Sequence, residues 1–403
     1  MAGNVVVIGG GQAGASLVAK LRALGHEGKI SLICDEPVPP YQRPPLSKKY
    51  LLGEMELERL YLRPESFYAE NDIELLTGAT AEAIDRDAKT VTVDGNPLPY
   101  DELALCTGSL PRNLPAAIGG ELDGVYTVRT LADVDSMASE FTSGRRALVV
   151  GGGYIGLEAA AVAASRGVQV TLVEQMDRIL NRVAAAETAD FIRALHQGHG
   201  VDLREGVGLK TIEGADGRVS NAILADGTAL KVDFVIVGIG ITPDTRLAEA
   251  AGLLLDNGIA TDAQCRTSDP AIYAAGDCAS FPWRDSRIRL ESVQNAIDQA
   301  EHAAGAIMGS DAEYRPHPWF WSDQFDCKLQ IAGLSTGFDQ VVTRPGSRPG
   351  GQSVWYFRGA TLLAVDAMND PKAYMQAKRW IEAGVSPDPE RIGDAGLDLK
   401  AQV

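Results

Sequence analysis

Two glycine-rich turns are the residues most able to do chemistry by spacing alone. Gly9-x-Gly11-x-x-Gly14 and Gly151-x-Gly153-x-x-Gly156 repeat one pattern, with Gln12-Ala13 and Tyr154-Ile155 filling the last gap in each. In such a turn the first glycine permits the tight bend and the second lets a pyrophosphate approach the backbone. The third allows close packing of helix on strand, which aims the helix N-terminus at the phosphates. Each turn is followed, about 20 residues past its last glycine, by acids: Asp35-Glu36 and Glu174. A carboxylate there accepts hydrogen bonds from an adenosine ribose. At Glu174 it welcomes a free 2′-hydroxyl and repels a 2′-phosphate, and the nearest cation downstream is Arg178. The second site is therefore expected to take NADH in preference to NADPH. Two dinucleotide sites in one chain point to two cofactors exchanging electrons.

The elements that must position these turns are legible as runs. Val5-Val6-Val7-Ile8 precedes the first and Ala147-Leu148-Val149-Val150 the second. Ala-rich helical stretches follow (14–24 and 156–166), then further apolar runs, Ile30-Ser31-Leu32-Ile33 and 168–173. Strand, turn, helix, strand is a βαβ unit, so the chain holds two of them. After residue 320 the glycine turns stop. Ile331-Ala332-Gly333-Leu334, 353–357 and 362–365 read as antiparallel strands, 373–383 as a helix, and the tail from Val385 as loop. The fold class expected is α/β, with two Rossmann-like dinucleotide-binding domains and a C-terminal α+β domain.

Composition fits that class: 403 residues, 45% hydrophobic and 23% charged, make an ordinary folded chain of two or three domains. A formal charge of −17 disfavours general nucleic-acid or anionic-membrane binding. No apolar run reaches the ~18 residues of a membrane span. The start, Met1-Ala2-Gly3-Asn4, lacks the basic segment of a signal peptide. Five scattered cysteines (34, 106, 265, 278 and 327), with no Cys-x-x-Cys, read as reduced thiols of a cytoplasmic protein. The five histidines (26, 196, 199, 302 and 317) offer no catalytic triad or metal site, and His196 with His199 reads as a solvated helix end.

Several further segments identify a family. Arg43-Pro44-Pro45-Leu46-Ser47-Lys48, Cys106-Thr107-Gly108, Val128-Arg129-Thr130-Leu131, Tyr273-Ala274-Ala275-Gly276-Asp277 and Pro318-Trp319-Phe320-Trp321-Ser322-Asp323-Gln324 stand in that order. Over essentially its whole length the chain resembles the FAD-dependent NADH–ferredoxin reductases of oxygenase systems, the group of putidaredoxin reductase and the biphenyl dioxygenase ferredoxin reductases. The resemblance implies a glutathione-reductase-like plan: an FAD domain from 1–110 and 244–319, an NADH domain at 111–243, and an interface domain at 320–403. It implies FAD at the first turn, with Gly9, Gly11, Gln12, Ala13, Gly14, Asp35, Glu36, Arg43, Lys48, Ala83, Thr107, Gly108, Arg129, Gly276, Asp277, Glu291, Ser292, Val293 and Trp321 around it. It implies NADH at Gly151, Gly153, Tyr154, Ile155, Gly156, Glu158, Glu174, Gly238, Ile239 and Gly240.

Individual roles come from the same likeness. Asp277 holds a ribitol hydroxyl, and Arg43 and Arg129 meet the FAD pyrophosphate, a task suited to a guanidinium fork. The two prolines fix an extended segment, after which Ser47-Lys48 is expected to open a helix. Lys48 lies beside flavin N5 and pairs with Glu158, so these two are the catalytic candidates; no metal is expected. Hydride passes from NADH to FAD, and single electrons pass on to a [2Fe–2S] ferredoxin serving a P450 or a Rieske oxygenase. The protein itself is expected as a monomer or weak homodimer. Arg284, Arg287, Arg315 and Lys328, flanking the tryptophan segment, are candidates for a local positive face toward that acidic partner. The rivals are an oxidase or disulfide reductase of the same plan, which needs a redox cysteine where Ser47-Lys48 stands, and an interaction flavoprotein akin to apoptosis-inducing factor.

Overall fold

The computed structural model describes residues 3–396 and 398–401. The chain divides into two compact units. One holds the residues up to Arg43, Met55–Leu110 and Ile241–Pro316; the other holds Pro44–Glu54, Pro111–Gly240 and the residues from His317 on.

The first unit is built on a parallel five-stranded sheet in the order Ile272–Ala274, Glu102–Leu105, Val5–Ile8, Ile30–Cys34, Ile73–Thr77. Val5–Ile8 is central and buried throughout, as a strand covered on both faces must be. That is why its run is continuous and does not alternate. Leu17, Val18 and Leu21 of the helix Gln12–Ala23 join Ala300, Ala303 and Ala304 of the helix Val293–Ile307 on one face. Val91 and Val93 of an antiparallel three-stranded sheet, Ala81–Asp85, Thr90–Val93 and Asn96–Pro99, cover the other.

The second unit repeats the plan. Its parallel sheet runs Asp202–Glu205, Gln169–Glu174, Arg146–Val150, Phe234–Val237, Val125–Tyr126. It also contains an antiparallel five-stranded sheet in the order Trp319–Gln324, Cys327–Gly333, Thr361–Met368, Gln352–Arg358, Gln340–Pro345. The helix Pro371–Ala383 packs Tyr374, Ala377 and Trp380 onto it. Asp370 caps that helix by accepting from the Ala373 amide, with proline at the first position.

Four local expectations change. Both turn helices begin two residues early, at Gln12 and Tyr154, because the third glycine lies inside the first helical turn. The segment Leu46–Tyr50 is a π-type turn broken at Lys48 (φ −134°, ψ −111°), where a regular helix start was expected. His196, expected with His199 at a solvated helix end, is fully buried, and only His199 is exposed. The tail after Val385 is not all loop, since Pro389–Ile392 forms a helical turn capped by Asp388.

Candidate functional site

The two glycine turns are built alike to atomic detail. A Cβ at Gly14 would stand 2.0 Å from the Gly9 carbonyl oxygen, and one at Gly156 would stand 2.1 Å from that of Gly151. Helix and strand therefore meet only through glycine. Gly9 and Gly151 have φ of +116° and +108°, and a Cβ there would strike the carbonyl of the neighbouring strand's end, Cys106 in one case and Gly238 in the other. Gly11 and Gly153, by contrast, face open space, with nothing within 4 Å. Each is the N-cap of its helix, neither provides a side-chain cap, and neither helix has an acid in its first turn. The first amides of both helices thus have no capping side chain, and no acid of the helix's own first turn competes for them. These are the features that a dinucleotide pyrophosphate requires, and the residues fit one at each turn.

At the second turn Glu174 ends its strand and accepts from the amides of Gly152 (2.7 Å) and Met176 (2.8 Å). Its carboxylate is fixed at the end of the cradle, with lone pairs left for a ribose. Arg178, the cation nearest in sequence, spends its guanidinium on the carbonyls of Ile179, Asn181 and Ala184. It closes its own loop and is not presented to a 2′-phosphate. Gly238 packs against Gly156, Ile239 is half-buried, and Gly240 accepts a backbone bond from Arg112. Ile155 is exposed beside the turn.

At the first turn the two acids separate. Strand registers match Ile33 with Val173, so the place equivalent to Glu174 is Cys34, and the acids lie one and two residues beyond it. Asp35 is exposed. Glu36 is committed: it accepts from the Tyr41 hydroxyl (2.6 Å) and pairs with Arg43 (2.7 Å), whose guanidinium also sits over the Tyr41 ring. Arg43 is therefore placed at the acid end of the turn. Gly276 lies against Ala13, with a Cβ 3.1 Å away if it had one, which carries Asp277 to the start of the turn helix. There Asp277 accepts from Ser109 (2.8 Å). Gly108 accepts from the Asp244 amide and Thr107 donates to the Asp244 carbonyl. Ser292 caps Val293–Ile307 through the Asn295 amide, and Glu291 pairs with Arg289.

One expected residue is not brought here. Ala83 is exposed on the sheet Ala81–Asp85, whereas Ala79 and Ala81 are the members of that stretch that pack with Ile8 and Ile33. A bulge between Ala81 and Ala83 turns the latter outward. Arg287 also departs from expectation. Its guanidinium donates to the carbonyls of Thr261 and Ser280, both at 2.7 Å, so it holds a loop; Arg284, Arg315 and Lys328 are exposed.

The catalytic candidates meet within the second unit. Lys48 Nζ lies 3.0 Å from Glu158 Oε1, with side chains only 17% and 10% exposed. Ser322 donates to the same carboxylate at 2.7 Å, and Asp323 stands 3.9 Å from Lys48. Burial pushes the Glu158 carboxyl up, against the pull of Lys48 and Ser322. Trp321 is tilted against Trp319 and, at a longer distance, against Phe320, and Phe320 tilts onto Tyr154. Arg129 donates its amide to Asp133, ahead of the Thr130 cap. Sequence reasoning missed Ser322 as a site residue; its only signal was its place in the tryptophan segment.

Residues 3–300 match the family described as pyridine nucleotide-disulphide oxidoreductase, and 319–403 match the reductase C-terminal family. The chain belongs to the pyridine nucleotide-disulphide oxidoreductases. Within them it falls among the ferredoxin reductases of oxygenase systems. It is 41% identical to rhodocoxin reductase of Rhodococcus erythropolis, over 99% of this chain and 94% of that protein. It is 42% identical to putidaredoxin reductase of Pseudomonas putida, over 98% of this chain and 96% of that one. Its fold matches the reductase in the crystal structure of the covalent putidaredoxin reductase–putidaredoxin complex with a TM-score of 0.95 and 41% identity, covering 99% and 97% of the two chains. This reductase uses FAD and a pyridine nucleotide. Among its described residues no helix is long and apolar enough to cross a membrane.

Proposed function

We propose that the chain is the cytoplasmic NADH-dependent reductase of a [2Fe–2S] ferredoxin, which in turn serves a cytochrome P450 or a Rieske oxygenase. When bound, FAD supplies the exchange between a two-electron hydride donor and a one-electron acceptor. The residues around it bind, orient and set charge. The first turn, with Asp35, Asp277 and Arg43, holds FAD; the second, with Glu174 as the ribose acceptor, holds NADH. Lys48 brings a fixed positive charge that favours the reduced flavin, and Glu158 keeps that ammonium in place.

The observation that carries this reading over thiol chemistry is the Lys48–Glu158 pair itself, standing where a disulfide reductase needs cysteine. All five cysteines are buried, and burial pushes the thiols up, Cys34 to about 12. None is poised as a thiolate.

The protein as purified should be yellow, bleach with NADH, and reduce a ferredoxin of such a system. Stopped-flow reduction of the flavin in Lys48→Ala should slow by about tenfold or more, the scale of one lost charge contact. A full rate in that variant removes the role given to Lys48. Slow turnover of every ferredoxin, with a persistent charge-transfer complex, would favour the interaction flavoprotein instead.

A further inference from the structure

Glu158 is the end of a longer row of side chains. Ser322 donates to it, Gln324 Nε2 lies 3.0 Å from Ser322 Oγ, and His196 Nε2 lies 2.8 Å from Gln324 Oε1. Ser322, Gln324 and His196 are all essentially without solvent exposure. The direction of every bond follows from one end. An ionised carboxylate only accepts, so Ser322 spends its proton on Glu158. Its oxygen must then accept from Gln324, which turns the amide NH2 toward Ser322 and the carbonyl toward His196. That carbonyl only accepts, so the proton of the His196 ring sits on Nε2. Nδ1 is left buried with no hydrogen-bond partner, and burial pushes the ring's pKa down, so it stays neutral. Three donors run in file toward a single carboxylate.

We propose that His196, Gln324 and Ser322 are positioning residues of the reductive half-reaction: a one-way hydrogen-bond chain that keeps Glu158 ionised and turned to Lys48. This rests on the reading of Lys48 and Glu158 given above. Buried from water, Glu158 is driven toward its neutral form, which would release Lys48 from its partner. The charged groups acting on it are Lys48, from Leu46–Tyr50, and Asp323, from the strand Trp319–Gln324; the second opposes ionisation. Ser47 adds only a 3.4 Å contact. The donor chain is the neutral support that offsets burial without adding another charge.

The test uses the FAD-loaded protein labelled with 15N-histidine, its His196 signals assigned against the four other histidines. At pH 7.5 His196 should be neutral with its proton on Nε2. The acid limb of flavin reduction by NADH should move up by about one pH unit in Ser322→Ala, the size expected for one lost bond to a charged acceptor, and return in Ser322→Thr. A proton on Nδ1, or a charged ring, at pH 7.5 overturns the direction of the chain. An unmoved acid limb in Ser322→Ala overturns its positioning role. A full flavin-reduction rate in Lys48→Ala removes the function of the pair but leaves the tautomer result standing, so the two failures are distinguishable.

Discussion

At the scale of single residues, the proposed preference for NADH rests on one carboxylate with two jobs. Glu174 holds the Gly152 and Met176 amides and would receive the ribose of NADH. Glu174→Arg should therefore raise kcat/KM for NADPH and lower it for NADH by more than tenfold, because the amides lose their acceptor as the ribose does. Unchanged preference in steady-state kinetics would remove the assignment. The identity of these residues was legible because a glycine fingerprint and a trailing acid have fixed spacing. Commitments were not. Nothing in Asp35-Glu36 says which acid is tied up, and the contacts from Tyr41 and Arg43 decide it. Arg287 looked like any surface cation, yet it holds two carbonyls.

At the scale of elements, the second and third glycines of each turn do different work. Gly156→Ala would force a Cβ to within 2.1 Å of a backbone oxygen and should cost about 2 kcal/mol or more in stability. Gly153→Ala meets only open space, so the thermal midpoint should hold while NADH affinity falls; titration of NADH against both variants checks this. Gly153→Ala with parental NADH affinity would mean that no phosphate approaches there. The strands beside the glycine turns, Val5–Ile8, Ile30–Cys34 and Arg146–Val150, were readable as apolar runs because they are buried on both faces almost throughout. The break at Lys48 was not, since the prolines before it fix their own φ and say nothing of the backbone three residues on. Ala83 failed for a similar reason: a bulge changes which face a residue occupies, and no local residue type announces it.

At the scale of the whole molecule, the second unit carries a buried acid that makes its stability depend on pH. Asp366, on the strand Thr361–Met368, accepts from Thr188 (2.8 Å) and from the Tyr356 hydroxyl, which in turn accepts from the Ala185 amide. Burial pushes Asp366 up to about 6 against its two hydrogen bonds. Because the folded value lies above the unfolded one, the contribution of this group is complete below about 4 and is lost as pH rises through about 6. Asp366→Asn mimics the protonated form. Its thermal midpoint should match the parent near pH 4 and exceed it above pH 6.5, by the equivalent of up to about 3 kcal/mol for a shift of this size. A pH-independent difference would show that Asp366 ionises freely. The sequence alone determined the two βαβ units, their glycine cradles and the absence of a reactive thiol, because these depend on spacing and residue type within short segments. Only the tertiary structure decided what lies beside what: that Ser322, Gln324 and His196 stand in file behind Glu158, and that Tyr356 and Thr188 enclose Asp366. Three of these contacts, Glu158 with Ser322, His196 with Gln324 and Thr188 with Asp366, join residues more than a hundred positions apart, and the hydrogen-bonding of a buried polar group is set by the neighbours that folding gives it.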